Sequence, residues 1–79
     1  MRIEYTHIAI KHINNLNKDT KNRVRIAVEK LPSGDVKRLQ GCRDNYRLRV
    51  GDLRILFSMD DEAIIIKDVL PRGQAYNRL

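Results

Sequence analysis

The apolar positions of this chain keep two different periods. Near the N-terminus, Ala9, Ile13 and Leu16 recur at i, i+4 and i+7, which lines one helix face and leaves Lys11, His12 and Asn15 mostly elsewhere. Thr6 precedes the run, and its hydroxyl can accept from backbone N–H groups of the next turn, so the spacing predicts a helix starting there after a short strand over Arg2 to Tyr5. Asn17, Lys18 and Asp19 break the pattern. Val24, Ala27, Val28 and Leu31 then line one side of a second helix, with Asp19 or Thr20 as its cap. Pro32, Ser33, Gly34 and Asp35 end that helix, because proline cannot continue it and glycine accepts a left-handed turn at little cost.

From Tyr46 the period becomes two. Tyr46, Leu48 and Val50 point one way while Arg47 and Arg49 point the other, as in a half-buried strand. Gly51-Asp52 is a turn, and Leu53, Ile55, Phe57 and Met59 form the inward set of the next strand, with Arg54, Leu56 and Ser58 on its other face. Asp60 and Asp61 turn the chain again. Ala63 to Leu70 is nearly continuous in apolar character, which predicts a central or well-covered strand ended by Pro71. Val36 to Leu39 is a weaker strand candidate, and Gly73 to Leu79 is too short for an independent helix. The predicted architecture is α+β: an N-terminal helical hairpin packed on one face of a twisted, mainly antiparallel sheet.

Length and composition narrow this further. With 79 residues, 42% of them apolar and 33% charged, the chain is read as a single domain over 1–79 with one core, neither disordered nor collagen-like. No apolar run approaches the roughly 20 residues that span a bilayer, and MRIEYTHIAI lacks the uninterrupted apolar stretch of a secretion signal, so a cytoplasmic protein with no membrane partner is expected. The lone Cys42 has no second cysteine for a disulfide or thiolate cluster. No glycine-rich phosphate loop occurs, so no nucleotide cofactor is expected.

Charge adds a partner class. The formal net charge is +6, and positive residues concentrate between Val36 and Arg54, where Lys37, Arg38, Arg43, Arg47, Arg49 and Arg54 meet only Asp44 and Asp52. Such a field attracts polyanions, nucleic acid first. Alternation sends Arg47 and Arg49 to the sheet face away from the helices, and Arg54 joins them from the adjacent hairpin strand. Like charges so placed repel in an unliganded sheet, whereas phosphate oxygens match the guanidinium fork. The alternative is a solvated face on which arginine stems only cover apolar surface.

Three motifs carry a family resemblance: DVKRLQG before the hairpin, YRLRVGDLRILF across it, and VLPRGQAY at the end. With the preceding helical hairpin, they make the whole chain resemble the toxins of the RelE/ParE superfamily. That resemblance implies a type II toxin of the RelE-like kind, a ribosome-dependent mRNA endonuclease acting on messenger RNA in the ribosomal decoding site. It implies a metal-independent reaction in which the ribose 2′-OH attacks the adjacent phosphate. It further implies a cognate antitoxin and an oligomer formed with it. By motif position the resemblance assigns catalytic roles to Arg47, Arg49, Arg54, Arg72 and Tyr76, and places Lys37, Arg38 and Arg43 as RNA-binding residues. Tyr76 either orients the attacking hydroxyl or stacks on a base. Where relatives have lysine, histidine or glutamate available as general base, this sequence has arginine, which stays protonated at neutral pH. Two other readings share the fold: a ParE-like inhibitor of DNA gyrase, and a non-catalytic member that binds RNA or an antitoxin alone.

The remaining polar residues carry less. His7 and His12 are five apart, not the i, i+4 spacing of a helical metal pair, and both are read as structural or surface. Asp60, Asp61 and Glu62 read as a solvated turn, and neither Ser58 nor Cys42 has a histidine partner in sequence. Tyr46 and Phe57 fall on the face expected to meet the helices, which makes them core.

Overall fold

The computed structural model describes residues 2–39 and 45–71. The chain runs β1 (Arg2–Tyr5), α1 (His7–Asn14), α2 (Lys18–Glu29), β2 (Val36–Arg38), β3 (Asn45–Val50), β4 (Leu53–Met59) and β5 (Ala63–Pro71). The strands form one five-stranded sheet in the order β1-β5-β4-β3-β2. β2, β3, β4 and β5 pair antiparallel in succession, and β1 adds to β5 in parallel. The near-continuous apolar strand is thus internal, as its composition predicts.

Local chemistry sets the helix ends. Thr6 is extended, and its Oγ1 accepts from the Ala9 backbone N–H at 3.1 Å, giving the expected cap. The second cap is Asn17 rather than Asp19 or Thr20: Asn17 Oδ1 accepts from the Thr20 N–H at 2.8 Å. Asp19 instead lies in the first turn, where a carboxylate faces the positive end of the helix dipole.

Both helical stripes reach the sheet. Ala9, Val24 and Val28 are buried against Leu48, Ile55, Phe57, Ile64, Ile66 and Val69, with Ile13, Leu16, Ala27 and Leu31 packed at the margin. Phe57 is wholly buried and stacks on Tyr46, its partner across β3 and β4, with ring centroids 5.4 Å apart. Burial of each such large side chain contributes about 1.5–3 kcal/mol. This core side fixes the opposite face, where β3 and β4 present their alternate residues.

One irregularity in β5 decides what that face carries. Phe57 is in register with Ile66 but Leu56 with Asp68, so Lys67 is an extra residue and β5 bulges there. Strict alternation after Ile64 and Ile66 would direct Asp68 into the apolar core. The bulge resets the phase so that Val69, in register with Ile55, takes that place.

Candidate nucleic-acid interface

The β3–β4 hairpin builds the basic surface. Its strands are joined by Gly51-Asp52, with Gly51 at φ +56, a left-handed conformation that glycine adopts without Cβ strain. This tight turn puts Arg49 directly opposite Arg54. Arg47 lies two residues along β3, on the same face, and is in register with Lys37 of β2. Directly opposed side chains in an antiparallel pair have Cβ atoms about 4.5–5.5 Å apart, and diagonal ones about 7–8 Å, so the four cationic stems are neighbours. On this face β2, β3 and β4 carry Lys37, Asn45, Arg47, Arg49, Arg54, Leu56 and Ser58, none of them a carboxylate.

The expected cations differ in setting. Arg49 is exposed, Arg47 half-buried, and Arg54 buried at 6% exposure, so Arg54 is part of the sheet's packing as well as its charge. Arg38 departs from the expected grouping. It is in register with Tyr46, whose ring is on the helix side, so period two turns Arg38 to the face opposite Lys37. Arg43, Arg72 and Tyr76 lie outside the described residues.

Two relationships were invisible in the linear pattern. Lys67, at the bulge, extends across β4 and donates from Nζ to Asn45 Oδ1 at 2.8 Å, on the arginine face. The only advance signal is the Lys67-Asp68 break in the apolar run. His12 of α1 meets Asp68 of β5, Nδ1 to Oδ1, at 2.5 Å. His12 is therefore structural, with a carboxylate partner that the helix sequence alone does not show. β1 covers the edge of β5 only from Ala63 to Ile66, and α1 ties to the next stretch through this contact and through Thr6 Oγ1, which donates to the Lys67 carbonyl at 2.7 Å. Among the described residues no group of histidine, cysteine and carboxylate side chains is arranged to hold a metal ion.

Positive charge also continues around the sheet. A cleft of about 300 Å³ between α2 and β3 is lined by Arg23, Lys30, Asp35 and Arg49, so the last of these borders both surfaces. Elsewhere, burial and the nearby Glu29 raise the pKa of Tyr5. In the β4–β5 turn, the backbone N–H groups of Ala63 and Glu62 donate to Asp60 and hold its carboxyl below the usual range.

Comparison with known proteins bears on what this surface serves. No family model matches the chain. It is 24% identical to toxin RelE3 of Methanocaldococcus jannaschii over 85 residues, covering 98% of this chain and 97% of that protein. It is 31% identical to a chain in the crystal structure of the archaeal RelE–RelB complex from Pyrococcus horikoshii OT3, with a TM-score of 0.74 over 92% of this chain and 96% of that one. This chain belongs to the RelE toxin family. The RelB–RelE antitoxin–toxin complex from Methanococcus jannaschii superposes with a TM-score of 0.81 over 96% of this chain and 98% of that one, at 22% identity, and shows the same fold. The RelE fold therefore accounts for the two helices on the five-stranded sheet, with β1 added in parallel.

Proposed function

We propose that this RelE-family chain is the toxin of a type II toxin–antitoxin system and a ribosome-dependent mRNA endonuclease. The observation that carries the reading is the in-register Arg49–Arg54 pair, extended by Arg47 and Lys37 on a face whose β2–β4 positions hold no carboxylate. Guanidinium and ammonium groups presented side by side on one sheet face match the phosphate oxygens of a nucleic-acid backbone.

The chemistry asked of these residues is modest. The ribose 2′-oxygen attacks the adjacent phosphorus, the bond to the 5′-oxygen breaks, one proton leaves the 2′-hydroxyl and one reaches the departing oxygen. Negative charge gathers on the phosphoryl oxygens during the exchange, and fixed guanidinium groups stabilise it without reorganising. Arg47, Arg49 and Arg54 take that role. Arg72 and Tyr76 are assigned to the leaving-group side and to the attacking hydroxyl or a stacked base. Arginine holds its proton at neutral pH, so proton acceptance falls to Tyr76 or to the ribosome.

The partner follows from the P. horikoshii relative, which was crystallised as a RelE–RelB complex. A basic toxin face is matched by an antitoxin with acidic segments. None of the helices described is long and apolar enough to cross a membrane, and a cytoplasmic place of action goes with a ribosomal substrate. The deciding experiment incubates the folded protein with programmed ribosomes and maps mRNA ends. Cuts positioned at the decoding-site codon support the reading; their absence at saturating protein rejects it.

A further inference from the structure

We infer that Lys67 is an additional RNA-backbone contact on the arginine face, held ready by Asn45; this rests on the RNA-cleaving reading above. The bulge in β5 sets Lys67 beside Asp68, both opposite Leu56, and bulges commonly re-aim a side chain in this way. The Lys67 side chain crosses β4 to reach Asn45 on β3, which places its ammonium over the same face as Arg47 and Arg49. Its main chain is tied down as well, because the Lys67 carbonyl accepts from Thr6 Oγ1 at 2.7 Å.

The chemistry of the Lys67–Asn45 contact favours a waiting anion site over a structural ion pair. Asn45 Oδ1 is a neutral acceptor, so it orients the ammonium without cancelling its charge. Lys67 is exposed and makes no ion pair among the described residues. An ammonium has three donors; with one on Asn45, two remain for phosphate oxygens. Holding the stem across the sheet before binding lowers the entropy lost when RNA arrives. Lys67 thus adds an ammonium from β5 to the face built by β2–β4, beside Asp68, whose carboxylate is engaged by His12 and the Val69 N–H.

Binding to ribosomes programmed with an mRNA that is 2′-O-methylated at the decoding-site codon tests this without cleavage. Lys67→Ala is expected to weaken binding about 5- to 10-fold and to reduce the slope of log K against log salt by about one, while the melting curve shows intact folding. Lys67→Arg is expected to restore both. Asn45→Asp, which keeps the lysine but places a carboxylate on it, is expected to weaken binding as Lys67→Ala does. Unchanged affinity and salt slope in folded Lys67→Ala, with wild-type binding intact, overturns the assignment of Lys67 alone. Failure of the wild-type protein to bind overturns the RNA reading on which it rests.

Discussion

Arg49 and Arg54 stand directly opposite each other across the β3–β4 hairpin, one exposed and the other buried. The difference separates their contributions. Arg49→Ala removes little packing, so stability should stay within about 0.5 kcal/mol of wild type while mRNA cleavage falls about 100-fold or more. Arg54→Ala also removes a buried stem, and should cost about 1–3 kcal/mol in urea unfolding besides the activity loss. Equal stability losses in the two variants would contradict this division.

Legibility in the sequence followed the range of each interaction. Ala9 with Ile13, and Val24 with Val28, announce their helices because the residues that share a face lie within two turns of each other. The Arg47, Arg49 and Arg54 face is equally local, since one two-residue turn fixes its register. The faces of Lys37 and Arg38 are not legible in the sequence, because β2 is three residues long and shows no period of its own; only pairing with β3 assigns them. Asn17, Asp19 and Thr20 are all competent caps, and the exit of the chain from α1 selects Asn17. The His12–Asp68 contact joins residues 56 positions apart, and the bulge at Lys67 exists only relative to β4, so neither has a signature within its own segment.

The His12–Asp68 contact ties α1 to β5 where β1 no longer covers that strand. Asp68 is buried and also accepts from the Val69 N–H at 2.8 Å, so its carboxylate is held in place. Replacing His12 by Ala and Asp68 by Asn, singly and together, should give a coupling energy of about 0.5–3 kcal/mol in a double-mutant cycle at fixed pH. Amide hydrogen exchange in α1 should quicken in each single variant. Additive single effects would mean that the contact adds nothing beyond packing.

Asp60 predicts a feature of acid unfolding. Its carboxyl titrates below the ordinary range because the N–H groups of Ala63 and Glu62 donate to the charged form. A folded-state pKa below the unfolded one stabilises the protein above the unfolded value, and that contribution is lost as pH falls through the folded value. Asp60→Asn keeps an acceptor oxygen but removes the titration. Its stability should therefore lie below wild type at neutral pH, where the charged carboxylate contributes, and depend less steeply on pH below about 4, the two proteins converging in acid. Chemical denaturation across that range reads the difference, and acid limbs of equal slope would refute it.

Two glycines differ in what they tolerate, and the difference tests the geometry that supports the arginine hairpin. Gly51, at φ +56 with open space where a Cβ would stand, lies in the left-handed region that asparagine also adopts. Gly51→Asn should therefore cost less than about 1 kcal/mol and leave cleavage intact. Gly34, at φ +118, has both an unfavourable backbone for any side chain and Leu48 Cδ1 only 3.2 Å from a built Cβ. Leu48 is a buried core residue on β3, between Arg47 and Arg49, so its displacement propagates to the basic face. Gly34→Ala should cost about 1–3 kcal/mol and lower cleavage at temperatures where the protein remains folded. Thermal unfolding and mRNA cleavage measured on both variants check the ranking, and a Gly34→Ala protein as stable as Gly51→Asn would show that the Gly34 turn does not constrain Leu48.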